Sequence, residues 1–204
     1  VSGDSLRAGM QIADSVNAAK AKLIYLVFEE FEKQLAGVAE RNHWTREKKS
    51  NWYEYKEQAD EFFYKWNTTY PGINYIVNDA QMPDGKQLWF RVEVEHRLFA
   101  GFCVFDPNAE SEEGHGDQVD EYDAATVKAV GHYLNISVED HNDWWATWWY
   151  LPAGEQKPND SVPNFKIMND AAIALADKEC RSEFVSLCVR NIEEMVERVL
   201  AIPE

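Results

Sequence analysis

Positive charge is what this chain has least of. Twenty Lys and Arg face 36 Asp and Glu across 204 residues, a formal net charge of −16 at pH 7. Nucleic-acid binders draw affinity from cations that displace counterions from phosphates, so this surplus disfavours direct contact with a polyanion. Cysteine is nearly as scarce. Cys103, Cys180 and Cys188 are the only three, an odd count without close pairs that argues against a disulfide framework and suits a reducing cytoplasm. No His pair stands near them, so zinc is not expected and all three read as small buried hydrophobes. No apolar run approaches the roughly 18 residues of a membrane span. Glycine-rich phosphate loops, GxSxG and GxGxxG are missing, which leaves the P-loop, nucleophilic-hydrolase and dinucleotide classes without support. The first residues, Val1-Ser2-Gly3-Asp4-Ser5, have neither the charged nor the apolar region of a secretory signal. They also lack an initiator Met, so the chain reads as processed or as cut from something longer.

Core material, by contrast, is plentiful. Hydrophobic residues make up 45% of the chain, with eight Trp, nine Tyr and ten Phe, which excludes disorder. The length suits one domain spanning residues 1–204.

Periodicity supplies the elements. Ile12, Val16, Ala19, Leu23, Leu26, Val27, Phe31, Leu35 and Val38 step by three and four, which predicts one amphipathic helix of about 30 residues ending near Gly37 or at Arg41-Asn42. Trp52, Tyr55, Ala59, Phe62, Phe63 and Trp66 repeat the pattern and predict a second helix within 45–70. Pro71-Gly72 must end it. The period then changes to two. Ile73, Tyr75 and Val77 form a short strand, Pro83-Asp84-Gly85 a turn, and 87–95 a second strand with Leu88, Phe90, Val92 and Val94 on one face. Residues 98–105 are apolar on both faces, as a central strand is, and His96-Arg97 is short enough to close a hairpin. An acidic loop follows over 106–120, then a helix marked by Val119, Tyr122, Thr126, Val130 and Tyr133. The stretch 144–151, WWATWWYL, precedes a loop with Pro152, Pro158 and Pro163 and reads as a fourth strand. On it Trp144, Ala146, Trp148 and Tyr150 share one face, and Trp145, Thr147, Trp149 and Leu151 the other. Asn169-Asp170 caps a short helix, and Phe184, Cys188, Ile192, Met195 and Val199 mark a terminal one from about Arg181. The expected architecture is α+β: an antiparallel sheet of about four strands packed by long N- and C-terminal amphipathic helices.

Three groups of residues carry candidate chemistry. Asp84, Glu93 and Glu95 fall near the spacing of a PD-(D/E)xK nuclease, in which carboxylates on neighbouring segments hold a divalent metal such as Mg²⁺ and a Lys positions water. Here Glu95 stands where that Lys belongs. The bland reading is a turn followed by a solvated strand face. Arg41, Arg46, Lys48, Lys49 and Lys56 gather beside Trp44, Trp52, Tyr53 and Tyr55, a mix able to hold a nucleic-acid strand. Their bland reading is neutralisation of an acidic neighbour. Trp144, Trp145, Trp148 and Trp149 offer either a partner- or ligand-binding surface or core packing. The five histidines, His43, His96, His115, His132 and His141, show no metal-ligand spacing. His115 lies in the acidic loop, which lacks the alternation of a calcium-binding loop.

In order, the signals Val27-Phe28-Glu29-Glu30-Phe31, Tyr70-Pro71-Gly72-Ile73, LWFRVEVEH, LFAGFCVF, the Trp-rich segment and a terminal helix resemble the C-terminal region of bacterial PD-(D/E)xK-family nuclease proteins. The resemblance covers most of residues 10–200. In that family the catalytic residues lie upstream of the part resembled, so none is carried over to this chain. The resemblance implies a non-catalytic, acidic accessory module in a bacterial nuclease or phage-defence protein, binding a protein partner or a missing parent domain in the cytoplasm without a cofactor. Two other readings stand beside it. One is a Mg²⁺-dependent nuclease using Asp84, Glu93 and Glu95; the other is an acidic DNA mimic that occupies another protein's DNA-binding surface. The sequence leaves the oligomeric state open.

Overall fold

A computed structural model describes residues 3–48, 54–64, 69–110, 116–137, 144–152 and 159–200. The fold is α+β, as the patterning implies. Helix α1 (Gly3–Arg41) leads into strand β1 (Trp44–Glu47) and the single turn α2 (Tyr55–Gln58). Strands β2 (Gly72–Val77), β3 (Gln87–Val94) and β4 (Leu98–Asp106) form the meander, and a short β5 (Asp117–Gln118) follows. Helix α3 (Ala124–Leu134), strand β6 (Thr147–Tyr150) and helices α4 (Asp170–Ala174) and α5 (Lys178–Leu200) complete the chain.

The sheet has six antiparallel strands in the order β1-β2-β3-β4-β5, with β6 also paired to β4. Two strands therefore exceed the four expected. The first, β1, lies where the periodicity predicts a helix within 45–70. His43 turns the chain after α1 with φ 55°, and Trp44 then pairs opposite Val77 and stacks on Phe90 at 4.6 Å. Cross-strand pairing and aromatic burial outweigh a helical pattern that, among the described residues of 45–70, only Tyr55–Gln58 satisfies. The second, β5, is cut from the acidic loop by pairing Phe105 with Gln118. The helix expected from Val119 begins at Ala124 instead, where the Asp123 carboxylate accepts from the Thr126 N–H.

Alternation assigns the faces. Leu88, Phe90, Val92 and Val94 join Ile73, Tyr75, Phe102, Val104 and Trp149 in one core with Val27, Phe31 and Leu35 of α1 and Val185, Cys188 and Ile192 of α5. Helices α1 and α5 run parallel across this face. The Ser186 hydroxyl donates to Gln34 Oε1 at 2.8 Å, and one turn or two further on Arg41 pairs with Glu193. The opposite face holds a smaller cluster of Trp89, Cys103, Phe105 and Trp145, with Trp89 stacked on Phe105 at 4.0 Å.

The core places two cysteines as expected, since Cys103 and Cys188 are buried, and burial pushes the Cys103 thiol up to about 12. Cys180 departs from expectation. It lies exposed in the first turn of α5, where its N–H donates to the Asp177 carboxylate instead of packing.

Candidate functional site

Asp84, Glu93 and Glu95 do not converge. Asp84 sits exposed in the turn before β3 with φ 57°, whereas Glu93 lies near the strand's far end, roughly 20 Å away at 3.3 Å per residue. The expected solvated strand face is overturned as well, because Trp89, Arg91 and Glu93 are all buried. Glu93 accepts from Arg91 Nε at 2.5 Å, and the same guanidinium donates to Asn74 Oδ1 and, at 2.6 Å, to the Tyr70 carbonyl. A Cβ on Gly72 would stand 2.8 Å from Arg91 Nη2, so glycine there leaves room for the guanidinium. Burial pushes the Glu93 carboxyl up and Arg91 pulls it back; its oxygens are turned to that cation. Glu95 is exposed past the strand end, 3.9 Å from His96. Among the described residues no three His, Cys, Asp or Glu gather in a metal-binding arrangement.

The basic residues near β1 do converge, on carboxylates. Glu32 of α1 lies 2.9 Å from Lys48 and 3.5 Å from both Arg46 and Lys56. Arg46 also donates to both oxygens of Glu54, at 2.7 and 2.9 Å, and the Tyr55 hydroxyl donates to Glu32 at 2.9 Å. Burial alone would raise the Glu32 carboxyl, but hydrogen bonds from Lys48 and Tyr55 and the charges of Arg46 and Lys56 bring it down to about 2. Glu54 moves the other way because its burial outweighs Arg46. Arg41 is engaged elsewhere, with Glu193 of α5. Trp44 and Tyr55 are core residues, so these two of the four rings expected to stack bases face inward. Lys49, Trp52 and Tyr53 lie outside the described residues, as do Trp66, His115, His141 and Pro158.

The Trp segment divides. Trp145 and Trp149 are buried, while Trp144 and Trp148 remain 48% and 38% exposed. A bend at Ala146 breaks the alternation expected over 144–151. Trp145 thereby joins the Trp89 cluster and Trp149 the helix-side core, on opposite faces instead of one. Trp148 meets Tyr150 edge-on at 5.0 Å and Phe99 at 6.0 Å, which forms a small aromatic surface at the β6 edge.

A run of exposed apolar residues lies where periodicity predicts core. Every buried residue of α1 lies from Ala21 onward. Before it, Leu6, Met10, Ile12 and Val16 are 60%, 61%, 66% and 46% exposed. Among the described residues, the stripe thus continues along α1 past the packed part of the helix. Length is the sequence signal for this exposure, since even the expected length of about 30 residues exceeds that of the usual globular helix. At 1.5 Å per residue, the 39 residues of α1 extend roughly 58 Å, while a compact chain of this size is only about 40 Å across. One end must project.

Compared with protein-family models, with curated proteins and with solved structures, the chain finds no match.

Proposed function

We propose that this protein is a non-catalytic, acidic interaction module that binds a protein partner through the exposed apolar residues of the first half of α1. The observation that carries this reading is the exposed run Leu6, Met10, Ile12 and Val16 on a helix whose remaining length is packed. A contiguous apolar surface on an otherwise charged protein marks a contact site. Trp144 and Trp148 supply a second, smaller apolar surface on the sheet edge. The separation of Asp84 from Glu93 and the commitment of Arg46 and Lys48 to Glu32 both speak against a nuclease centre and a nucleic-acid groove. The setting we attach to the module, a bacterial nuclease or phage-defence protein, rests on the sequence resemblance alone, its cytoplasmic placement on the scarce, unpaired cysteines, and we assign it no cofactor.

Affinity capture with purified protein tests the reading, with Leu6→Glu as the control that blocks this surface. A protein retained by the unaltered chain and lost with Leu6→Glu is the expected result. Equal retention by both overturns this surface as the contact. Mg²⁺-dependent DNA cleavage that disappears in Glu93→Ala overturns the non-catalytic reading altogether.

A further inference from the structure

The first part of α1 carries a weak point in its own sequence. Residues 3–16 are exposed throughout. Packing sets in further on, where Lys20 Nζ lies 5.4 Å from the Phe63 ring centroid and Ala21 is buried. Before that, this arm of helix is held by backbone hydrogen bonds and residue preference, and the preference is poor. Asp14, Ser15, Val16 and Asn17 are four consecutive weak helix formers, and Gly9 adds a larger penalty further out. The Ser15 hydroxyl donates to the Gln11 carbonyl at 2.8 Å, a back-bond that weakens a helix slightly. The packed part of α1 supplies the nucleus, so the arm has only to propagate from it. At 14–17 that propagation runs against the intrinsic preference of every residue it must cross.

An alternative start lies at the same place. Helices α3, α4 and α5 each begin at an Asp or Asn whose side chain accepts from the amide three residues on. Asp123 accepts from Thr126 at 2.7 Å, Asn169 from Ala172 at 3.1 Å and Asp177 from Cys180 at 3.0 Å. Asn17 stands in the same relation to Lys20, whose side chain reaches the body. With residues 3–16 uncoiled, the Asn17 side chain can accept from the Lys20 N–H and satisfy one of the donors that the shortened helix exposes. Uncoiling also releases the backbone entropy of the whole arm. The apolar stripe does not oppose it, since its side chains face water in either form. Covering the stripe reverses the balance, because only the helical form gathers Leu6, Met10, Ile12 and Val16 within one half of its circumference.

We propose that the first part of α1 is a conditional helix: the free protein exchanges between a long form beginning at Gly3 and a short form capped by Asn17, and binding at the stripe selects the long one. This is an order–disorder switch in which apparent affinity is scaled by the fraction of the long form. Its use in controlling binding rests on the stripe being the contact surface; the exchange itself does not.

Residue-resolved amide hydrogen exchange of the full chain tests it. Amides of residues 7–19 should exchange within about tenfold of the unstructured rate, protection should begin at Lys20, and amides of 24–38 should open only with global unfolding. Gly9→Ala, whose added Cβ meets nothing within 4 Å, should slow exchange across the arm up to about fivefold. Asn17→Gln, a better helix former with a side chain too long to cap, should also slow it and move the onset of protection off Lys20. Asn17→Ser keeps a cap and should leave both as they are. Protection of residues 7–19 beyond about tenfold in the unaltered free chain overturns the conditional helix. An onset that Asn17→Gln does not move overturns Asn17 as the cap. Neither result bears on the contact reading, which stands or falls on capture by the unaltered chain against Leu6→Glu.

Discussion

Lys48, Arg46 and Lys56 all reach Glu32, which lies on the packed half of α1 and ties it to the β1 edge. Because its folded-state value of about 2 lies below the ordinary 4.5, its contribution is fully present above pH 4.5 and is lost as pH falls towards 2. Glu32→Gln should therefore destabilise the protein at neutral pH by roughly 1–2 kcal/mol, a figure reduced for partial solvation of the site. The gap between variant and unaltered chain should narrow over pH 4.5 to 2 and close below it, as read from urea unfolding at several pH values. A gap independent of pH would mean that Glu32 acts through packing and not through charge. Gly101 makes a second case at this scale. A Cβ there would lie 2.2 Å from the Thr147 carbonyl oxygen and 2.8 Å from both the Trp145 ring and Trp148 Cα. Backbone cannot yield as a side-chain tip can, so Gly101→Ala should cost about 2–3 kcal/mol. It should also shift Trp fluorescence as β6 is forced from β4.

Strand β6 shows how far element-level pattern reading goes. Its existence and its partner-facing residues follow from aromatic content and flanking prolines, yet it spans only Thr147–Tyr150. The expected face assignment fails at Ala146, because a single bend flips everything before it. The consequence is measurable. Trp149, fully buried against Phe90 and Phe102, should cost about 3–5 kcal/mol on replacement by Ala. Trp148, on the aromatic edge, should cost under about 1 kcal/mol; comparable losses at both would place Trp148 in the core. The meander of β2, β3 and β4 and both terminal helices were legible because each carries a long, clean period of its own. What was hidden depends on partners distant in sequence. Trp44–Glu47 becomes a strand only because Asn74–Val77 is there to pair with it, and no local pattern records that. Arg91 and Glu93 alternate like surface residues and become buried through Asn74 and Tyr70, some 20 positions upstream. The arm was legible as helix and apolar stripe, but its exposure depends on where the body ends, and a periodicity has no end marker for that.

At the scale of the whole molecule, two electrostatic effects oppose each other. Contact pairs such as Glu32–Lys48 and Glu54–Arg46 stabilise the fold locally, while a net charge of −16 presses it apart. Salt distinguishes them by range. At about 0.01 M the Debye length of roughly 30 Å spans most of the protein, so every acidic side chain feels the others; at about 0.15 M it is near 8 Å, and the long-range repulsion is largely screened. Pairs in contact, several of them half-buried, are screened much less over the same interval. Thermal stability should therefore rise as NaCl is increased across that range and level off beyond it, measured by circular dichroism melts at neutral pH. The rise should shrink as pH approaches the isoelectric point near 4.7, where the repulsion disappears before Glu32 loses its charge. If stability instead falls with added salt, the ion pairs around Glu32 and Arg46 outweigh the surplus of like charge, and the acidic surface is less costly to the isolated fold than its net charge implies.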